Sequence, residues 1–498
     1  LHHLDSIGAR AGKLLPVQGR WHLALWVRAG SADARLRLSF GRHGRPAWLD
    51  QTLSPGRRWQ RFDLVFDTRD DGPPGPLQLS ISVAQGEVLV DDVELAAVTN
   101  TPAAGGFRPE LVQTLRELRP GYLRDWQAQL ADSPANRSAE PWARQPIRYR
   151  PGASELQYAY SLPEFLALAA EVGARPWVIL PATTTPDEAR AFGSALAQGW
   201  QRHHFAEIVV EHGNEHWNAV FRPAGLAQAG TLAEVADRAF AALREGAGAK
   251  LPLHRVIGAQ YVDGAAAGRL ARLSHQSEGV AVAPYFHYRQ DGGEPPLQAL
   301  DRALHEDLKP LQQALTEAAA LGRAVDVYEV NFHTTLGSAT PTERDAVLTA
   351  PAAGAALARR LLQAAALGVT RQAVYTLASY DSFVAGNGRG LAQLFGITRD
   401  LAGAGHWRST GQAVVALNAV IGGTAHAASC NGPGCAEVTA MAFGGGARWA
   451  LVSSAPQAIS VSWPCDQAVQ LRINAGPAAP HTCVAGRIRV DLPPRSWA

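Results

Sequence analysis

Apolar and polar positions change their period twice along the chain. Residues 21–27, 35–40, 59–66, 77–83 and 87–95 alternate apolar with polar side chains, and Gly, Pro and Asp clusters separate the runs. A period of two predicts strands with one buried face, and this succession predicts an N-terminal β-sandwich over residues 1–103.

From residue 104 the period lengthens. Segments 109–118, 162–172, 187–201, 226–245, 265–275, 297–321 and 352–367 carry apolar residues at helical spacing. Between them lie short apolar runs near 121–126, 176–182, 207–215, 255–261, 280–287, 324–333 and 372–377. Strands alternating with helices predict parallel β/α units with right-handed crossovers. The fold class is therefore α/β, with a closed (β/α)8 TIM-type barrel over residues 104–422. Seven of its strands are legible in the sequence, where closure asks for eight. A doubly wound open sheet is the alternative, but no Gly-x-Gly-x-x-Gly turn follows an early strand. Short alternating runs return at 437–443, 449–453, 458–463, 468–473 and 486–492, predicting a C-terminal β-sandwich over residues 423–498.

Composition narrows the partners. The 498 residues are 47% hydrophobic and 18% charged, with a net charge of +2. Nothing there favours nucleic acid or an anionic membrane. No apolar run approaches the roughly 18 residues of a membrane span. The chain begins at Leu1 without a signal-like segment, which reads as a mature or trimmed form. Its four cysteines, Cys430, Cys435, Cys465 and Cys483, all lie in the C-terminal region. An even number confined to one small region predicts disulfides, and with them a secreted or periplasmic bacterial protein. Cys430 and Cys435 flank an Asn-Gly-Pro-Gly turn that can bring them together; a metal site is the alternative, without zinc-type spacing. The oligomeric state is not legible.

In a parallel barrel, the C-terminal strand ends converge on one mouth. The residues there are Arg124, Asp125 and Trp126; Trp177; Asn214 and Glu215, with Trp217 just beyond; Tyr261; Tyr285 and His287; Glu329 and Asn331; Tyr375 and Tyr380. Two glutamates, two amides, one guanidinium and several aromatics suit a ligand that presents hydroxyls and apolar ring faces, a carbohydrate. The run Glu211-His-Gly-Asn-Glu215 places an amide beside a carboxylic acid at a strand tip. Glu207, Glu211 and Glu215 share one face of that strand, with Glu211 deeper and suited to pairing with an arginine. Glu329 ends another strand three β/α units later. Paired carboxylates of this kind are what glycosidic bond cleavage requires. In the sandwich, Trp21, Trp26, Trp48 and Trp59 fit either a sugar-stacking platform or the core, and the core is the commoner place for an indole. No Gly-x-Ser-x-Gly elbow, His-Glu-x-x-His motif or Walker loop occurs. We therefore expect no metal and no cofactor.

Three segments carry a resemblance to a known family. They are Val88-Leu-Val-Asp-Asp-Val-Glu-Leu, continued by Gly106-Phe-Arg-Pro-Glu-Leu-Val and Leu118-Arg-Pro-Gly-Tyr-Leu-Arg124; then Glu211-His-Gly-Asn-Glu; then Phe395-Gly-Ile up to Val420-Ile-Gly-Gly. In this order they resemble clan A retaining glycoside hydrolases, most closely family 51, the α-L-arabinofuranosidases. The resemblance implies a carbohydrate-binding-module-like sandwich ahead of a catalytic barrel. It implies Glu215 as acid/base, Glu329 as nucleophile, and Asn214 as the group holding a sugar 2-hydroxyl. Arg124 and Tyr285 would orient the Glu329 carboxylate and lower its pKa, while burial and repulsion raise that of Glu215. Trp126, Trp177, Trp217, His287 and Asn331 would complete the sugar site, and the partner would be a polysaccharide or oligosaccharide. The family's Arg-Phe-Pro-Gly-Gly-Asn segment is replaced here by Arg124-Asp-Trp-Gln-Ala-Gln, and its first barrel strand should precede the sandwich. These departures motivate an alternative, a non-catalytic polysaccharide-binding protein on the same scaffold.

Overall fold

The computed structural model describes residues 2–3, 17–72, 77–98, 106–125, 132–147, 160–218, 226, 228–378, 396–399, 401 and 405–498. They form two compact units. One gathers the N-terminal strands with residues 108–114 and the described part of 377–407. The other gathers residues 106–107, 115–376 and 408–498.

The first unit is a sandwich of two antiparallel sheets. Its strands are β1 (His2–His3), β2 (Gln18–Ala29), β3 (Arg35–Arg42), β4 (Leu49–Leu53), β5 (Gln60–Arg69), β6 (Leu77–Gln85) and β7 (Val88–Ala97). They pair in the orders β1-β6-β3-β4 and β5-β2-β7. The alternation read from sequence sets the core. Leu23, Leu25 and Val27 of β2 meet Leu36, Leu38 and Phe40 of β3 between the sheets. Trp21 and Trp48 pack against that cluster, whereas Trp26 and Trp59 remain exposed. The four tryptophans therefore do not make one platform.

In the second unit, β8 (Tyr122–Arg124), β9 (Arg175–Leu180), β10 (Ile208–His212), β11 (Leu253–Gly258), β12 (Gly279–Val282), β13 (Ala324–Val330) and β14 (Gln372–Val374) form one parallel sheet. Neighbours in the sheet are neighbours in sequence throughout. A doubly wound sheet reverses its order at a switch point, so this is a barrel. Its edges β14 and β8 lie beside one another, which nearly closes the ring. The described barrel thus has seven strands, one fewer than the (β/α)8 expectation.

Local signals set the surrounding helices. Thr185 and Glu188 form a reciprocal capping box at the start of helix Pro186–His203, as Thr340 and Glu343 do for Pro341–Leu348. Helices Pro186–His203 and Ala229–Ala247 approach closely through glycines. A Cβ at Gly193 would stand 2.2 Å from the Leu243 carbonyl oxygen. The single helix expected over 297–321 is two, Pro296–His305 and Lys309–Ala319. Pro310 has no amide hydrogen and opens the second helix instead of continuing the first. No helix among the described residues is long and apolar enough to cross a membrane.

The C-terminal strands are β15 (Ala425–Ala427), β16 (Val438–Phe443), β17 (Arg448–Ser453), β18 (Ile459–Pro464), β19 (Val469–Leu471), β20 (Ala479–His481), β21 (Arg487–Leu492) and β22 (Ser496–Trp497). They form a sheet in the order β15-β16-β17-β22 and the pairs β18-β21 and β19-β20. Their core is Leu451, Trp463, Leu471, Ile488, Val490 and Leu492. Disulfides join Cys430 to Cys435 and Cys465 to Cys483. These strands are tied to the barrel helices: Arg359 donates to the Thr439 hydroxyl and the Ala436 carbonyl, and Arg495 forks onto Asp301 at 2.5 and 2.7 Å.

Candidate active site

The tip of β10 sets the geometry. Glu211 occupies an inward position within the strand, and the chain then turns sharply. Gly213 has φ 62° and Glu215 has φ 41°. A left-handed glutamate is uncommon, and such backbone strain concentrates at functional positions. The turn leaves Asn214 buried and carries Glu215 to a half-buried position at the mouth. Gly213 could not bear a side chain there, since its Cβ would stand 2.4 Å from the His216 ring.

Arg124, the last residue of β8, organises the centre. Its Nε and Nη2 donate to the two carboxylate oxygens of Glu211 at 2.8 and 3.0 Å. Nη2 also donates to the Asn214 side-chain oxygen at 2.7 Å, and Nη1 to Glu329 at 2.6 Å. The guanidinium lies 4.9 Å over the Tyr328 ring. Burial opposes its charge, but Glu211 and Glu329 outweigh that and hold its pKa above the ordinary arginine value.

Glu329 lies near the end of β13. Besides Arg124, it accepts the Tyr285 hydroxyl at 2.7 Å. Its neighbour Tyr328 reaches into the same site and donates to Glu215 at 3.3 Å. Consecutive strand residues ordinarily point to opposite faces. The β13–β14 register shifts between Val327 and Val330, and a bulge of this kind re-aims side chains beside a site. Glu215 accepts a second hydrogen bond, from the Asn218 amide at 2.8 Å. Trp217, two residues after Glu215, is half-buried.

The charge balance differs from the sequence expectation. Burial pushes the Glu329 carboxyl up to about 7. Arg124 and Tyr285 pull it down, while Glu215 and Glu211 push it further up. One guanidinium thus serves two carboxylates and an amide, and desolvation outweighs it at Glu329. The expected lowering of the Glu329 pKa is corrected accordingly. At the other end of β10, burial works to raise the Glu207 pKa. The Arg371 fork at 2.7 and 2.9 Å and the Tyr122 hydroxyl at 2.7 Å outweigh it and hold the carboxyl at about 2.

Several residues read as sugar contacts are buried and hold protein partners. Trp177 has no solvent exposure and donates its indole N–H to Glu211 at 2.9 Å, so it buttresses the Arg124 pair. His287 is 2% exposed and packs edge-on against Phe332, and burial holds its pKa at about 4. Asn331 donates to the Tyr375 carbonyl at 2.5 Å and accepts from the Phe332 amide, which ties the end of β13 to the segment after β14. Trp126 and Tyr380 lie outside the described residues. Conversely, Tyr328 and Asn218 were not singled out from sequence. No sequence signal marks the bulge that brings Tyr328 in. The His333 ring packs against Tyr285 and Tyr288. Among the described residues, no cluster of His, Cys, Asp or Glu is arranged to hold a metal ion.

No family model matches the chain. No curated protein sequence matches it either. Solved structures do. The family 51 α-L-arabinofuranosidase AbfB from Bifidobacterium longum superposes with a TM-score of 0.58 at 12% identity, covering 80% of this chain and 90% of that one. The Thermotoga maritima α-L-arabinofuranosidase in its arabinose complex gives 0.55 at 12% identity, covering 81% and 91%. The family 51 arabinofuranosidase of Xanthomonas axonopodis pv. citri gives 0.54 at 14% identity, covering 80% and 90%. At these identities the likeness is one of fold: the chain has the glycosidase-like scaffold of solved family 51 arabinofuranosidases.

Proposed function

We propose that the barrel is a retaining glycoside hydrolase acting on a polysaccharide or oligosaccharide. The observation that carries this is the arrangement around Arg124. It brings Glu329, oriented by a guanidinium and a tyrosine hydroxyl, into one electrostatically coupled site with Glu215. Glu329 attacks the anomeric carbon while Glu215 gives its proton to the departing glycosidic oxygen, forming a glycosyl ester on Glu329. Glu215 then takes a proton from water as that water displaces Glu329.

The other groups follow from their positions. The Asn214 oxygen is occupied by Arg124, which leaves its NH2 for a sugar hydroxyl. Tyr328 and Asn218 hold the Glu215 carboxyl in place. Trp217 offers a stacking face at the mouth. Burial pushes the Glu329 carboxyl up to about 7, so the site holds a proton close to neutrality. The two disulfides support a home outside the cytosol, because such bonds persist in oxidising compartments.

The test is hydrolysis of a panel of polysaccharides and aryl glycosides. Glu215→Gln and Glu329→Gln should each abolish turnover while circular dichroism stays native. Full activity in either variant would remove the assignment. Absence of hydrolysis in the wild type across the panel would favour a binding protein on this scaffold.

A further inference from the structure

The sandwich carries a surface with chemistry of its own. Trp26 and Arg28 of β2 lie two residues apart and share the face opposite the buried Leu23, Leu25 and Val27. Trp26 pairs across the sheet with Arg61 of β5 on one side and Asp91 of β7 on the other. The Val27–Gln60 pairing brings Trp59 alongside Arg28, whose guanidinium stands 5.3 Å over the Trp59 ring. Trp26 is 37% exposed and Trp59 is 43% exposed. The solvated face of an antiparallel sheet ordinarily carries polar side chains at such positions. Here two indoles stand diagonally across neighbouring strands, with charged groups between them.

The charges are not equally engaged. Arg61 donates to Asp63, which also binds His22. Arg28 has no carboxylate partner among the described residues; its Nε is buried without a hydrogen bond, which leaves the Nη groups to meet a ligand. A guanidinium held on an indole, with its charge unanswered, is prepared for an external anion. Two separated flat apolar faces interleaved with Arg61, Asp63 and Asp91 suit sugar rings, which present apolar faces and hydroxyl edges together.

We propose that this face binds an extended glycan carrying carboxylate groups. Trp26 and Trp59 receive the faces of sugar rings, and Arg28 pairs with a uronate carboxylate. It uses none of the barrel residues and stands whether or not the barrel hydrolyses anything.

Affinity electrophoresis of the full chain tests it. A Glu215→Gln background prevents loss of polymer during the run. The gels contain polygalacturonate, alginate or hyaluronate, with a mixed-linkage β-glucan as the neutral control. At least one acidic polymer should retard the protein more than the β-glucan does. Trp26→Ala and Trp59→Ala should each weaken retardation tenfold or more, with Trp26→Tyr recovering part of it. Arg28→Ala should abolish the preference for the acidic polymer, and added salt should weaken binding. Both indoles lie off the core, so an unchanged melting temperature certifies the fold. With the barrel residues intact, the tryptophan variants should hydrolyse any small aryl glycoside at the wild-type rate. The proposal is overturned by no retardation in any acidic polymer, by equal retardation of the Trp26→Ala/Trp59→Ala double variant, or by an Arg28→Ala variant that keeps its preference. A light-scattering mass that falls from dimer to monomer in Trp26→Ala would assign the face to a second copy, and equally overturns it.

Discussion

Arg124 and Glu211 form a two-pronged ion pair at the mouth of the barrel, at 2.8 and 3.0 Å, with the Glu211 side chain wholly enclosed. The fork fixes the plane of the guanidinium. That plane aims Nη1 at Glu329 and the remaining Nη2 hydrogen at Asn214. A lysine ammonium has no such plane and cannot serve three acceptors in fixed directions. Arg124→Lys is therefore expected to lower kcat/KM about 100-fold, the loss of roughly one strong charged hydrogen bond at the reacting carboxylate. The melting temperature should also fall, because a damaged buried pair costs about 3–5 kcal/mol. Wild-type kcat/KM in this variant would show that the fork does not orient Glu329.

Tyr285 offers a cleaner test of the charge balance. Its hydroxyl donates to Glu329 and favours the ionised carboxylate, against the burial that pushes the pKa up to about 7. The nucleophile must be ionised in the free enzyme, so kcat/KM should fall as pH drops below about 7. Tyr285→Phe removes a stabiliser of the charged form, so this acidic limb should move to higher pH. A limb that stays in place would mean that the hydroxyl does not tune Glu329.

What the sequence disclosed and withheld follows from two kinds of physics. Periodicity located all seven described barrel strands, and strand-end logic placed Arg124, Glu215, Tyr285 and Glu329 at one mouth, because both depend on backbone geometry alone. Burial is a property of the whole packing. Trp177, His287 and Asn331 sit at strand ends like the others, but their side chains are engaged by neighbouring protein groups. The Glu329 pKa was misjudged for the same reason: Arg124 and Tyr285 were visible as partners, but the desolvation that outweighs them was not. Tyr328 was hidden by a bulge that breaks the period of two on which the prediction rested.

Two stacked histidines behind β10 make stability depend on pH. His212 and His216 lie 5.6 Å apart between ring centroids, and burial holds their pKa values at about 3 and about 4. Both ring nitrogens of His212 lack hydrogen-bond partners. The unfolded chain binds these protons near pH 6.5, whereas the folded chain resists them until pH 3–4. Their stabilising contribution is thus complete above about pH 6.5 and is lost as pH falls toward 4, at about 1.4 kcal/mol for each unit of pKa difference. Glu329 acts in the opposite sense. Its raised pKa favours the folded state at low pH, and that contribution is lost as pH rises through 7. Denaturant titrations of the wild type and His212→Leu between pH 8 and pH 4 separate the two. The variant should lose less stability on acidification, and parallel curves would contradict the buried neutral pair.

The two disulfides should contribute unequally, because they close loops of different length. Cys430–Cys435 spans 5 positions and Cys465–Cys483 spans 18. Constraint of the unfolded chain predicts about 2 kcal/mol for the first and about 3 kcal/mol for the second. The longer link also ties two residues that pack on the core of Trp463, Ile488, Val490 and Leu492, whereas the shorter one staples a surface turn. Replacing Cys465 and Cys483 together by Ser should therefore lower the unfolding midpoint more than the same change at Cys430 and Cys435. The loss should appear in the C-terminal strands first, as faster amide exchange in β18 and β21. Equal losses for the two double variants would show that loop length does not govern stability in this region.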